Sequence, residues 1–155
     1  MPVIAFILLV GLAVLLLIAA AIDIRSRIIP NRLNALIAAM AVAWWFASGF
    51  GWDAMLVQIG LATVILLVFA SFFCLGWMGG GDVKLLAALA LWLPLEKMAV
   101  LLVWMAIGGG VLTLAMLIAH RLRRAEGRPE IPYGVAIVGA ALLLLTNDIL
   151  TTAVA

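Results

Sequence analysis

Long apolar runs separated by short polar breaks organise the chain. The first run covers residues 3–22, twenty residues, enough to cross a hydrocarbon core of about 30 Å as a helix. Further runs cover 33–48, 54–76, 82–93, 98–119 and 131–150. Pro30 disfavours helical geometry at Ile29 and suits the start of a new helix. Residues 49–53, Gly-Phe-Gly-Trp-Asp, turn the chain again. Gly79, Gly80 and Gly81 precede Asp82, and glycine permits the tight or left-handed turns that a Cβ forbids. The chain is thus predicted to leave one helix there and begin another with Asp82 in its first turn. That fourth run stops at Pro94 and would be only about 18 Å long. It is too short to cross the core from the surface, which places Asp82 in a recess. The pattern predicts an all-α polytopic membrane protein: one domain over residues 1–155, a six-helix bundle with a short fourth helix.

Composition and charge sharpen this picture. The chain is 69% hydrophobic and 10% charged, whereas soluble domains are nearer half apolar and a quarter charged. Ala19-Ala20-Ala21 resembles a leader-cleavage site, but no Lys or Arg precedes the first apolar run, so that run is expected to remain as a helix. The net charge of +2 is small and spread over loops, which argues against nucleic acid as a partner. A lone Cys74 offers neither a disulfide framework nor a cysteine metal site, and no metal or cofactor is expected. With six spans, Arg25, Arg27, Arg32, Lys84, Arg121, Arg123, Arg124 and Arg128 fall on one face and Lys97 alone on the other. The positive face stays in the cytoplasm, so both termini are expected outside. Trp44, Trp45, Trp52 and Trp92 fall near outer helix ends and Trp77 near an inner one, as in interfacial belts. Trp104 lies deeper and is expected to pack against a neighbour.

The same topology puts Asp23, ending the first run, and Asp82, opening the fourth, at the cytoplasmic boundary. A carboxylate inside an apolar segment costs about 2.5–3.5 kcal/mol on insertion scales, which makes both residues candidates for function. Two carboxylates held close tend to share one proton. One can then take a proton from water while the other gives one to a peptide carbonyl. The plainer alternative pairs Asp23 with Arg27, four residues on, and makes Asp82 a helix cap. Intramembrane carboxylates also serve proton-coupled transporters, but here the outer half offers no matching acid or base. A noncatalytic subunit of a secretion assembly is the third reading.

Three motifs then carry a resemblance. Gly79-Gly80-Gly81-Asp82 followed by Val83-Lys84-Leu85, Asp23 followed by Ile29-Pro30-Asn31, and Ile131-Pro132-Tyr133-Gly134 opening the last run resemble the type IV prepilin peptidases, a branch of the GxGD intramembrane aspartic peptidases. The resemblance implies Asp23 and Asp82 as the catalytic pair and Gly79, Gly81 and Lys84 as parts of the active-site loop. Pro30, Asn31, Pro132, Tyr133 and Gly134 would shape the site or meet the substrate. It also implies a prokaryotic cytoplasmic membrane, a prepilin partner with a basic leader and an apolar helix in the lipid, and cleavage at their junction, commonly after glycine. Longer family members add a cytoplasmic region, often with paired CxxC cysteines, and methylate the new N-terminus. This sequence resembles the short form associated with tight-adherence (Flp) pili, with cleavage and no methylation. Helix dipoles suggest that Asp23, at a C-terminal helix end, holds the shared proton, and that Asp82, at an N-terminal end, is the base. Lys84, two residues from Asp82, points to another side of its helix. Gly108, Gly109 and Gly110 are read as permitting close helix packing.

Overall fold

The computed structural model describes residues 2–122 and 133–154, with the side chains of 2–122 and 133–147. Six helices form the described chain: α1 Val3–Ser26, α2 Asn31–Ala47, α3 Trp52–Cys74, α4 Gly80–Ala90, α5 Leu95–Leu122 and α6 Tyr133–Val154. Of these, α1, α3 and α5 are each long and apolar enough to cross a membrane, and α6 is apolar from Tyr133 to Asn147. The molecule is an all-α membrane protein. Helices α2 to α5 begin two or three residues earlier than the apolar runs suggest, because backbone capping sets their starts. Leu33 and Asn34 donate to the Pro30 carbonyl, Asp82 and Val83 to that of Gly79, and Met98 to that of Pro94.

α1 shows how the fold is directed. Its buried residues are Ala5, Leu9, Leu12, Leu16, Ala19 and Asp23. They recur at spacings of four and three in alternation, the seam that a helix presents to a closely packed neighbour. Asp23 is the next position on that seam. Its carboxylate enters the bundle because the apolar residues before it do. α1 lies between α2 and α6.

The short α4 is the hub, packing against α2, α3, α5 and α6. Seven of its eleven residues are buried: Asp82, Val83, Leu85, Leu86, Ala88, Leu89 and Ala90. At 1.5 Å per residue it is about 16 Å long, so its last carbonyls end inside the bundle. Unpaired carbonyls are costly there. Gln58 of α3, only 5% exposed, supplies the missing donors. Its Nε2 lies 3.2 Å from the Ala90 carbonyl, 3.4 Å from that of Leu91 and 3.0 Å from that of Leu93. Trp45 Nε1 donates to the Leu91 carbonyl at 2.8 Å, and Trp92 Nε1 to Ile37 of α2 at 2.9 Å. Trp45 and Trp92 are therefore core residues, each 3% exposed, and not members of an interfacial belt. Trp52 and Trp77 are exposed, as a belt requires, and Trp104 is half exposed on the outer side of α5.

A first expectation follows. Gln58→Leu leaves the Ala90 and Leu93 carbonyls without that donor and should cost about 1–3 kcal/mol. Thermal unfolding in detergent reads this as a lowered midpoint. An unchanged midpoint would show that the end of α4 is satisfied in another way.

Two kinds of glycine shape the described chain. Gly49 and Gly76 have φ of +72° and +73° and close Schellman motifs after α2 and α3. Phe50 donates to Trp45 and Trp77 to Phe72, each at 2.9 Å. The left-handed turn expected at 79–81 thus lies earlier, at Gly76. The three glycines before Asp82 serve close approach instead.

Candidate active site

Asp23 and Asp82 are 4% and 9% exposed. They lie close enough for their charges to act on each other. Three chain segments bring them together. The first is the end of α1. Arg27 closes that helix in the left-handed region, φ 57°, with its amide donating to the Asp23 carbonyl. This turn folds the chain back, and Ile29 follows, 3% exposed.

The second segment is the start of α4. Asp82 is its third residue, after the N-cap Gly79. A Cβ placed on Gly81 would lie 3.1 Å from the carbonyl oxygen of Ile29 and 3.2 Å from its nitrogen. Backbone therefore meets backbone, and Gly81 lets Asp82 approach the end of α1. The Asp82 carboxylate turns back toward Gly79, whose hypothetical Cβ would be 3.0 Å from Oδ2.

The third is the start of α6. The amide of Val135 donates to Asp23 Oδ2 at 3.2 Å. A Cβ on Gly134 would sit 2.7 Å from Asp23 Oδ2 and 2.9 Å from Ile29 Cδ1. Any side chain there would displace the carboxylate or the isoleucine. Ile29 is the common wedge: its backbone meets Gly81 and its side-chain tip meets Gly134. Arg27 lies near enough to act electrostatically on Asp23, yet the hydrogen bond to the carboxylate comes from α6. Asp23 thus faces the negative end of α1 and the positive end of α6 together. Helix dipoles no longer separate the two aspartates into acid and base.

The remaining sequence-derived residues lie around this junction. Pro30 is the N-cap of α2. Lys84 Nζ donates to Asn31 Oδ1 at 2.8 Å, so these two tie α4 to α2 and engage each other, not the carboxylates. The Tyr133 ring turns toward α5, where a Cβ on Gly109 would be 3.5 Å from it. Gly108 and Gly109 both face Ala136, which permits close approach of α5 and α6, while Gly110 faces open space. Pro132 and Ile131 lie outside the described residues.

A residue that the charge pattern does not reveal completes the site. Asn34, 4% exposed, donates from Nδ2 to the Gly81 carbonyl at 3.0 Å. Its Oδ1 is buried without a partner among the described residues. The signal was available, because an amide inside an apolar run also carries a burial cost. Asn34 fixes the Gly81–Asp82 backbone against α2 and is a positioning residue. Asn34→Leu removes the donor and the orphan acceptor together, and the Gly81 carbonyl, inside α4, still has its helical i+4 donor, so stability should change little. The looser Asp82 should lower the rate by about tenfold, the equivalent of one hydrogen bond of roughly 1.4 kcal/mol. Rate and melting temperature measured on one preparation check both halves; an unaltered rate would remove Asn34 from the site.

A profile of the type IV leader peptidase family matches residues 10–114, which include both aspartates and the glycine-rich turn. The chain belongs to the type IV leader peptidase family. The match begins within α1 and ends within α5, so the Gly134 segment that seats Asp23 lies beyond it. Comparison with curated proteins and with solved structures finds no match. Membership of the leader peptidase family makes this a membrane peptidase, with a prepilin as the implied substrate.

Proposed function

We propose that the protein is an intramembrane aspartic endopeptidase that removes the basic leader of type IV prepilins of the tight-adherence (Flp) kind. The observation that carries this reading is the burial of Asp23 and Asp82 at one junction of α1, α4 and α6, walled by Gly81 and Gly134. One carboxylate takes a proton from water as the water oxygen attacks the scissile carbonyl carbon. The other, protonated, gives its proton to the carbonyl oxygen. As the tetrahedral intermediate collapses, the C–N bond breaks and the leaving amine takes the first proton. The hydroxyl proton returns to the second carboxylate, and the pair is restored. No covalent enzyme intermediate is needed.

In this reading all six helices span the membrane, with α4 as a short span, and the positive loops lie in the cytoplasm with both termini outside. The carboxylates then meet the substrate where its basic leader leaves the lipid. Purified protein in lipid vesicles should cut such a prepilin once, between leader and apolar segment. Cleavage elsewhere, or none, would overturn the assignment. Because the sequence holds one cysteine and no CxxC pair, cleavage should occur without methylation. Mass spectrometry of pilin matured by this protein alone should find a free N-terminal amine, and an N-methyl group dependent on this chain would refute the single activity.

A further inference from the structure

On the outer side of α5 and α6 runs a groove of about 700 Å³, lined from one end to the other by Val135, Ala136, Gly139, Leu143 and Thr146 of α6 and by Gly108, Val111 and Trp104 among the residues of α5. We infer that this groove seats the apolar helix of the prepilin, a reading that rests on the proposed peptidase function.

Three observations select this occupant. First, one end of the groove reaches a residue of the site: Val135 lines it, and the amide of the same residue holds the Asp23 carboxylate. A substrate cut at the carboxylates has an apolar segment that must run away from them into the lipid. From Val135 to Thr146 the groove follows α6 for about 16 Å. Second, the walls are almost wholly apolar, with the Trp104 indole N–H and the Thr146 hydroxyl as the polar side-chain groups among the lining residues. The Thr146 hydroxyl is spent on the Leu142 carbonyl at 2.7 Å, so the groove accepts apolar side chains and not a headgroup. Third, Gly139 lies in this wall, and a Cβ added to it would meet nothing within 4 Å. A helical glycine costs about 1 kcal/mol relative to alanine, and no contact among the described residues requires one here. An incoming helix does, because small residues let helix backbones approach closely in lipid. The cleft among α2, α3 and α4 is a poorer candidate: it is lined by Asn31, Asn34 and Lys84, polar side chains engaged with each other and with the Gly81 carbonyl, which suit an apolar helix less well.

The test is site-specific photocrosslinking with a prepilin carrying a basic leader. A photoreactive residue at Leu143, 61% exposed in the groove, should capture the apolar segment of the prepilin. One at Val64, 56% exposed on α3 and equally ten residues from the cytoplasmic helix end, should not. Equal capture from both positions, or capture of lipid alone at Leu143, would overturn the assignment. As a second reading, Gly139→Leu sets its Cβ in open space and should fold. It should raise KM for the full prepilin by about tenfold with kcat kept, through steric overlap with the bound helix. An unchanged KM would also overturn it. Failure of wild-type protein to cleave is a separate outcome, which rejects the peptidase reading and leaves the crosslink to judge the groove.

Discussion

Asp23→Asn and Asp82→Asn should each abolish leader removal, with rate losses of about 10² to 10⁴, the range that one positioned acid or base contributes. Asparagine keeps the size of aspartate but cannot exchange the proton. The surroundings of the two residues explain why the substitution acts on chemistry and not on folding. Asp23 accepts an amide hydrogen bond from Val135, and the amide oxygen of asparagine can accept the same bond. Asp82 sits in the first turn of α4, where asparagine is also tolerated. Removing either buried charge from an apolar bundle should leave stability equal or raised. Both variants should therefore insert and accumulate normally while precursor pilin persists on an immunoblot. Asp53, near the opposite helix ends, is the matched control: Asp53→Asn should mature pilin at the normal rate.

Gly134→Ala should lose about 10² in rate, because a single methyl group cannot be placed there without moving Asp23. Its Cβ would lie 2.7 Å from the carboxylate oxygen and 2.9 Å from the carboxyl carbon. The aspartate is short and cannot swing aside while keeping the bond to Val135. A displacement near 1 Å in a reacting group commonly costs about 10² in rate. Gly139→Ala, five residues further into α6 and facing open space, adds the same methyl group away from Asp23 and should keep kcat, raising only KM through the groove it lines. Initial rates for the two alanine variants, with their melting temperatures, separate the seating of Asp23 from general effects on α6. Normal activity in Gly134→Ala would show that Asp23 need not occupy this position.

The sequence exposed the residues whose cost was plain. Asp23 and Asp82 stand out because a charge at the edge of an apolar run demands a reason. The family was readable from the motifs around them, and the matched profile spans both. The inward face of α1 was not readable: apolar residues surround that helix, and only packing shows that Leu9, Leu12, Leu16 and Ala19 lead to Asp23. Helix starts shifted by two or three residues because Pro30, Gly79 and Pro94 cap with backbone groups, which hydropathy does not register. The glycines at 79–81 suggested a turn of unusual φ, yet Gly81 is required by the Ile29 backbone and the unusual φ belongs to Gly76. Asn34 and Gln58 were visible as amides within apolar runs. Their partners, the Gly81 carbonyl and the end of α4, depend on which helices meet, and sequence spacing does not contain that.

The most direct test of the paired action of Asp23 and Asp82 is a double-mutant comparison of single-turnover prepilin cleavage by purified protein in lipid vesicles. If the two carboxylates act as one unit, the Asp23→Asn/Asp82→Asn double variant should be no slower than the slower single variant, since losses within a catalytic unit do not add. Losses that multiply, or a single variant that cleaves near the wild-type rate, would contradict the pair.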